Sequence, residues 1–300
     1  MDENINLPNL LIVGAAKCGT TSLHNYLKQH PDIFMTEHKE PHFLINSEIG
    51  EDRVHKAVTS LEEYEKMFKT EGKYKYKGES SVMYLAFPEF SIKNIKKYLD
   101  PDVKIIIMLR NPIERAFAGY LHNLRYNPSE DLSFEEAFDR SEERYHQIGD
   151  MTPDTRYLQV GNYHFQVESF MSMFNDNVHV IMYDDYINDI DLCLFNLFDF
   201  LAIDKVSVDT SKKHMVGGWV FKSKFLRNLF IPQNTLKSLF KSVLPNKKIR
   251  QAIKQKMMNI SIVETPCMSE EMRKKLTEYY RKDINSLSKL LSKELNHWIN

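Results

Sequence analysis

LLIVGAAKCGTTS, residues 10–22, is the stretch on which the fold turns. Leu10 to Val13 is an apolar run with the pattern of a buried strand. It enters a loop of small residues holding one lysine, and a helix opens at Thr20. The loop GAAKCGTT has Gly14 and Gly19 at its two ends. Glycine lets a backbone turn tightly and approach an anion, and the first amides of the following helix point at that anion. The usual nucleotide-hydrolase loop reads G-x-x-x-x-G-K-[ST]. Here Thr20 stands where that lysine should be, and the lysine has moved to Lys17. The loop still suits a phosphate, with its charge placed differently. A plain glycine-rich turn between strand and helix is the alternative.

A second stretch, KIIIMLRNPIERAFAGY at residues 104–120, weakens that alternative. Ile105 to Leu109 is a continuous apolar run, the pattern of a strand buried on both faces of a parallel sheet. It ends in Arg110, where a nucleotide hydrolase would carry an aspartate for magnesium. Pro112 stops the strand, and Ile113 to Tyr120 reads as a helix start. An arginine at the carboxyl end of a central strand lies where open α/β sheets bind ligands. Its forked guanidinium suits a phosphate. The pair of motifs implies an anion held by cations and amides, with no metal.

The rest of the chain alternates strand and helix, as a parallel sheet with crossover helices requires. The expected fold is α/β, a parallel β-sheet flanked by helices in a three-layer sandwich like that of P-loop nucleotide hydrolases. It is expected as one domain over residues 1–300. The first helix is expected from about Thr20 to Gln29, ending before Pro31. Ser60 with Glu63 and Ser133 with Glu136 read as capping boxes. Leu61, Tyr64 and Phe68 fall on one stripe. Tyr76 to Tyr84 reads as the second strand, and Val178 to Tyr183 as another core strand. Met272, Leu276, Tyr279, Leu287 and Leu290 form the apolar stripe of a final helix.

With these motifs the chain resembles the sulfotransferases that use 3′-phosphoadenosine 5′-phosphosulfate (PAPS), in the carbohydrate branch near heparan sulfate enzymes and bacterial relatives. KCGTTS, Lys17 to Ser22, resembles the family's 5′-phosphosulfate loop. RNPIERAFAGY, Arg110 to Tyr120, resembles its 3′-phosphate motif. KEPHFL, Lys39 to Leu44, is similar to the segment that carries the catalytic glutamate of that branch. The resemblance implies that Lys17, Cys18, Gly19, Thr20, Thr21, Ser22 and Arg110 hold PAPS. It also implies that Glu40 is the base, with Lys17 stabilising charge and His42 orienting the base or replacing it. The implied acceptor is a hydroxyl, less readily an amine, on a carbohydrate or glycoconjugate. Two positions depart from the family pattern. Ala118 stands where a serine helps hold the 3′-phosphate, and Ser80 stands where heparan-type enzymes place a lysine.

Composition bounds the function. A formal net charge of −1 argues against a general nucleic-acid binder. Three widely spaced cysteines, Cys18, Cys193 and Cys267, make no disulfide framework and fit a reducing compartment. Cys18 reads as a loop filler, since no histidine lies near it in sequence to act as its base. No apolar run approaches a membrane helix, and the first core strand begins within ten residues. These points set the expectation of a soluble, cytoplasmic protein. Thr210 to Val263 contains twelve Lys or Arg and no Asp or Glu. Besides a solvated face, that run suggests a surface for an anionic cofactor or acceptor at the cleft rim, or peripheral contact with the inner membrane surface. Two rival functions remain at this level. One is a P-loop nucleotide or small-molecule kinase with Asp184 and Asp185 as metal ligands. The other is an inert module that keeps the PAPS-binding fold.

Overall fold

The computed structural model describes residues 6–50, 53–54, 57–127, 129–147, 152–212, 217–230 and 260–300. In chain order its elements begin with β1 (Leu10–Gly14), α1 (Thr20–Leu27), β2 (Ile33–Met35), α2 (Phe43–Ile49) and α3 (Leu61–Lys66). Next come β3 (Tyr76–Ser80), α4 (Pro88–Tyr98), β4 (Lys104–Leu109), α5 (Pro112–Tyr126), α6 (Phe134–Asp139) and α7 (Ser141–Gln147). The second half holds α8 (Tyr163–Phe174), β5 (Val178–Met182), α9 (Tyr183–Asn188) and α10 (Ile190–Phe200). It closes with β6 (Trp219–Phe221), α11 (Lys224–Phe230), β7 (Ile262–Glu264) and α12 (Glu270–Leu290).

Among the described residues, five strands form one parallel sheet in the order β2-β3-β1-β4-β5. The apolar runs explain the centre. Leu10 to Val13 and Ile105 to Leu109 have no solvent exposure, because helices cover both faces of the sheet. β1 lies between β3 and β4, so the chain leaves it toward one side and later returns on the other. That reversal opens a crevice at the carboxyl ends of β1 and β4, the place where such sheets take ligands. β6 and β7 pair antiparallel as a separate ribbon, with Trp219 opposite Glu264.

The strands differ from the sequence expectation in two places. The strand placed at Tyr76–Tyr84 ends at Ser80, and it is the third in the chain, because the short β2 precedes it. Beyond Ser80 the amides turn inward: Ser81 donates to Ile12 O at 3.1 Å, and Leu85 to Val13 O at 2.8 Å. The segment thereby caps β1 instead of extending the ladder.

The helices also differ in detail. Ser133 and Glu136 form a full capping box, whereas Ser60 accepts from Glu63 N with no reciprocal bond. Leu61 is exposed, leaving Tyr64 and Phe68 to pack below α3. In α12 the buried stripe is Met272, Leu276, Tyr280, Ile284 and Leu287, and Tyr279 is exposed. Tyr280 wins the inner position because its hydroxyl donates to Tyr157 O and Leu158 O at 3.1 and 2.9 Å.

Candidate active site

The crevice is a cleft of about 1240 Å³, lined by Lys17, Gly19, Thr20, Thr21 and Ser22 of the β1–α1 turn and by Arg110 after β4. Glu40 and His42 line it from the turn after β2. Cys18 does not line it. The thiol is fully buried beside Tyr163, and burial pushes its pKa up, so it packs the loop and lacks nucleophile character.

The loop is built for an anion. Gly19 adopts φ +90°, and a Cβ there would come within 3.2 Å of the Tyr183 ring. At Gly14 an added Cβ would lie 2.6 Å from Leu85 Cβ. Among the described residues, the amides of Thr20 and Thr21 have no acceptor, and Gly19 supplies no side-chain cap. Two unpaired donors therefore face the cleft at a helix start, the arrangement that receives phosphate. Arg110 stands across from them, its guanidinium 5.0 Å from the Tyr183 ring. The residues present fit a phosphate-bearing anion.

Lys17 lines the cleft in a left-handed conformation, φ +68°. Its Nζ lies 3.3 Å from His122 Nδ1. Burial, with Arg125 nearby, lowers the lysine to about 8, against the opposing pull of Asp154 and Glu40. Burial, Lys17 and Arg125 push His122 down to about 3, so its ring is neutral and Nδ1 accepts from the ammonium.

Glu40 and His42 also have positive φ, +64° and +51°. Non-glycine residues held this way cost about 1–3 kcal/mol each and persist only where the surroundings enforce them. The enforcement is visible here. Glu40 N donates to Ser80 O at 2.9 Å, and His42 N donates to Ser81 Oγ at 3.0 Å. Ser81 Oγ donates in turn to the fully buried Glu79, which Tyr64 OH also reaches at 3.1 Å. Protein crowding alone would raise the Glu40 carboxyl, yet its side chain is still 40% exposed to the cleft. Lys39, ion-paired to Oε1, and His42, 3.6 Å from Oε2, hold it well below the usual carboxylate range.

The two departures from pattern have distinct outcomes. Ala118 lines the cleft and offers no donor there. Ser80 is fully buried and faces the core. His24 Nε2 donates to Thr36 O at 3.1 Å, which leaves Nδ1 to accept from Ser80 Oγ at 2.8 Å. No cation enters the cleft from this position.

Sequence reasoning missed several cleft residues: His122 and Arg125 on α5, Asp154 on the turn at Pro153–Thr155, and Tyr183. Burial raises the Asp154 carboxyl, with Glu40 adding to the effect and Thr152 and Lys17 opposing it. The α5 residues were detectable in principle, because Ala118, His122 and Arg125 recur at helical spacing on the face that Arg110 leads into.

Asp184 and Asp185 do not line the cleft. Asp184 accepts from Trp298 Nε1 at 2.9 Å and from His297 at 3.2 Å, and Asp185 pairs with Lys293. Most of the basic run lies outside the described residues. Of its described cations, Lys224 sits 3.7 Å from Asp131, and Arg227 is buried, donating to Glu130 O at 2.6 Å. The run contributes only Gly217 and Gly218 to the described cleft wall, because Arg227 is engaged inside the fold. Among the described residues, no helix is long and apolar enough to cross a membrane, and no group of side chains suits a metal ion.

Comparison with known proteins agrees with this geometry. A family model described as a sulfotransferase domain matches residues 7–288. Human carbohydrate sulfotransferase 15 is 24% identical over 251 residues, covering 67% of this chain and 45% of that protein. Human heparan sulfate glucosamine 3-O-sulfotransferase 6 is 31% identical over 121 residues, covering 40% of this chain and 32% of that protein. The chain thus spans about half the length, or less, of these curated relatives. The crystal structure of a sulfotransferase from Alicyclobacillus acidocaldarius superposes with a TM-score of 0.74 at 29% identity, covering 98% of this chain and 99% of that one.

Proposed function

We propose that this chain, which belongs to the sulfotransferase domain family, moves a sulfuryl group from PAPS to a hydroxyl of a carbohydrate acceptor. The observation that carries this reading is the meeting of Lys17, Glu40, Arg110 and the unpaired Thr20 and Thr21 amides around one cleft. PAPS, when bound, supplies a sulfuryl group already activated by a phosphate leaving group. In-line transfer of this kind asks the protein for position and charge stabilisation more than for covalent help.

Each residue then has a task set by its place. The Thr20 and Thr21 amides, with the side chains of Thr21 and Ser22, hold the 5′-phosphate. Arg110 grips the 3′-phosphate from the end of β4. Lys17 offsets the negative charge that develops on the bridging oxygen. Glu40 accepts the proton of the acceptor hydroxyl, and His42 Nε2 orients that carboxylate. Neutral His122, bonded to Lys17, keeps the ammonium aimed into the cleft. No step requires a metal.

Thermal melts with the desulfated product nucleotide (PAP), with ATP and with Mg-ATP test this proposal. At one hundred times its dissociation constant, PAP should stabilise the fold by about 2.7 kcal/mol. A larger shift with Mg-ATP would overturn the assignment in favour of phosphoryl transfer.

A further inference from the structure

Arg125 lines the cleft and takes no part in the proposed transfer. Arg125 is 6% exposed, and its Nε is buried without a partner. Among the described residues its guanidinium makes no hydrogen bond and no ion pair. It is instead stacked near Trp219, 5.3 Å from that ring, and 5.8 Å from Tyr126. Gly217 lies against it, since a Cβ there would sit 3.5 Å from Nη1. A buried guanidinium is normally matched by a carboxylate or a phosphate, because removing its charge from water is unfavourable unless an anion replaces the water. Here two aromatic rings hold it in place while its N–H groups are left for a ligand.

The helix shows which ligand it meets. Ala118, His122 and Arg125 share the cleft face of α5. At 1.5 Å per residue, His122 lies about 6 Å beyond Ala118 along the axis, and Arg125 about 4.5 Å further. Arg110 stands before the start of this helix, and Lys17 is fixed beside His122. Arg125 is therefore further along α5 from Arg110 than His122, which contacts Lys17, and on the proposed function that is the side on which the acceptor enters.

We propose that Arg125 is the acceptor-side anchor and that the acceptor carries an anionic group, a carboxylate or an acidic ester, near the hydroxyl to be sulfated. Bidentate pairing with that group sets the hydroxyl against Glu40, and the Trp219 ring holds the fork in its plane. This inference rests on the sulfotransferase assignment made above.

The test uses PAP-saturated protein and two matched probes, 4-nitrophenyl β-D-glucuronide and 4-nitrophenyl β-D-glucoside, which differ in one carboxylate. Calorimetric titration should show the glucuronide binding at least about tenfold more tightly to the wild type, as a charged hydrogen-bond pair allows. Arg125→Met should remove most of that preference, and Arg125→Lys should retain part of it. PAP should still bind both variants, which also reports that they fold. Equal binding of the two probes by the wild type, or no binding of the glucuronide, overturns the inference. A loss of PAPS affinity relative to PAP in Arg125→Met, with the probe preference intact, overturns it too, since the cation would then serve the sulfuryl group. Failure of the wild type to bind PAP would instead bring down the sulfotransferase assignment itself.

Discussion

The two ends of the cleft are made differently. The end we assign to phosphate is mostly backbone: unpaired amides, two glycines in close quarters, and one arginine delivered by a buried strand. The end we assign to the acceptor is mostly side chains, taken from the turn after β2, the last turn of α5 and the Pro153–Thr155 turn, with Gly217 and Gly218 beside them. Backbone donors on a rigid sheet recognise a group that never changes. Side chains from three separate segments can be exchanged one at a time without moving the sheet. On the proposed function, holding the donor and choosing the acceptor therefore fall to different parts of one molecule.

That contrast is open to direct attack. The largest effect is expected at the acceptor end. Glu40→Gln keeps the shape of the side chain and removes its basicity, so kcat should fall by about 10²- to 10⁴-fold. PAP affinity should stay the same. If PAP binding fell as well, the two ends would not be separable at this residue.

Lys17 sits on the boundary, so Lys17→Met should damage both functions, lowering kcat by about 10²- to 10³-fold and weakening PAP. The ammonium, lowered to about 8 in the free protein, is favoured again by a bound phosphate. PAP binding at pH 8.5 should therefore take up a proton, and affinity should fall as pH rises above about 8. Calorimetry in two buffers of different ionisation enthalpy reads that proton. Its absence, or its persistence in Lys17→Met, would assign the titration elsewhere.

His24 braces the two ends, joining α1 to Ser80 and Thr36. Burial and the charge of Lys39 lower its pKa to about 4, below the unfolded value near 6.5. The unfolded chain binds the proton first, so stability is complete above pH 6.5 and declines as pH falls toward 4. The loss should reach about 3 kcal/mol by pH 4, and urea midpoints across that range should show a shallower slope in His24→Gln. The smallest effect belongs to the phosphate end. Ala118→Ser restores a hydroxyl to the cleft face of α5, and PAP affinity should improve by up to about tenfold with little change in kcat. An Ala118→Ser variant that binds PAP no better would place the 3′-phosphate away from this turn.

The sheet and the loop residues that line the cleft were readable because their signals are local. Leu10 to Val13 and Ile105 to Leu109 are strands by composition alone, and Lys17, Thr20 and Arg110 follow them within a few residues. Glu40 and His42 were reached only through resemblance, since nothing in KEPHFL states that both will be bent into left-handed turns by Ser80 and Ser81. β2 escaped notice because three residues after a proline give no periodicity. Arg125 and Asp154 escaped because sequence does not say which turn of a helix, or which short loop, will face a cleft made by segments over a hundred residues away. Tyr279 and Tyr280 show the limit at its finest: two adjacent tyrosines differ in fate by one step of helical phase, decided by two carbonyls on a distant loop.

The three left-handed residues at 17, 40 and 42 carry a consequence for anyone breeding this protein for robustness. Glycine would relieve about 1–2 kcal/mol of steric conflict at each position and return less than that, about 0.5–1 kcal/mol, in chain freedom. A selection that rewards only survival at high temperature would drift toward glycine at these positions. On the proposed function its winners would be hardy, well-folded and idle, and they would look like successes until someone offered them a substrate.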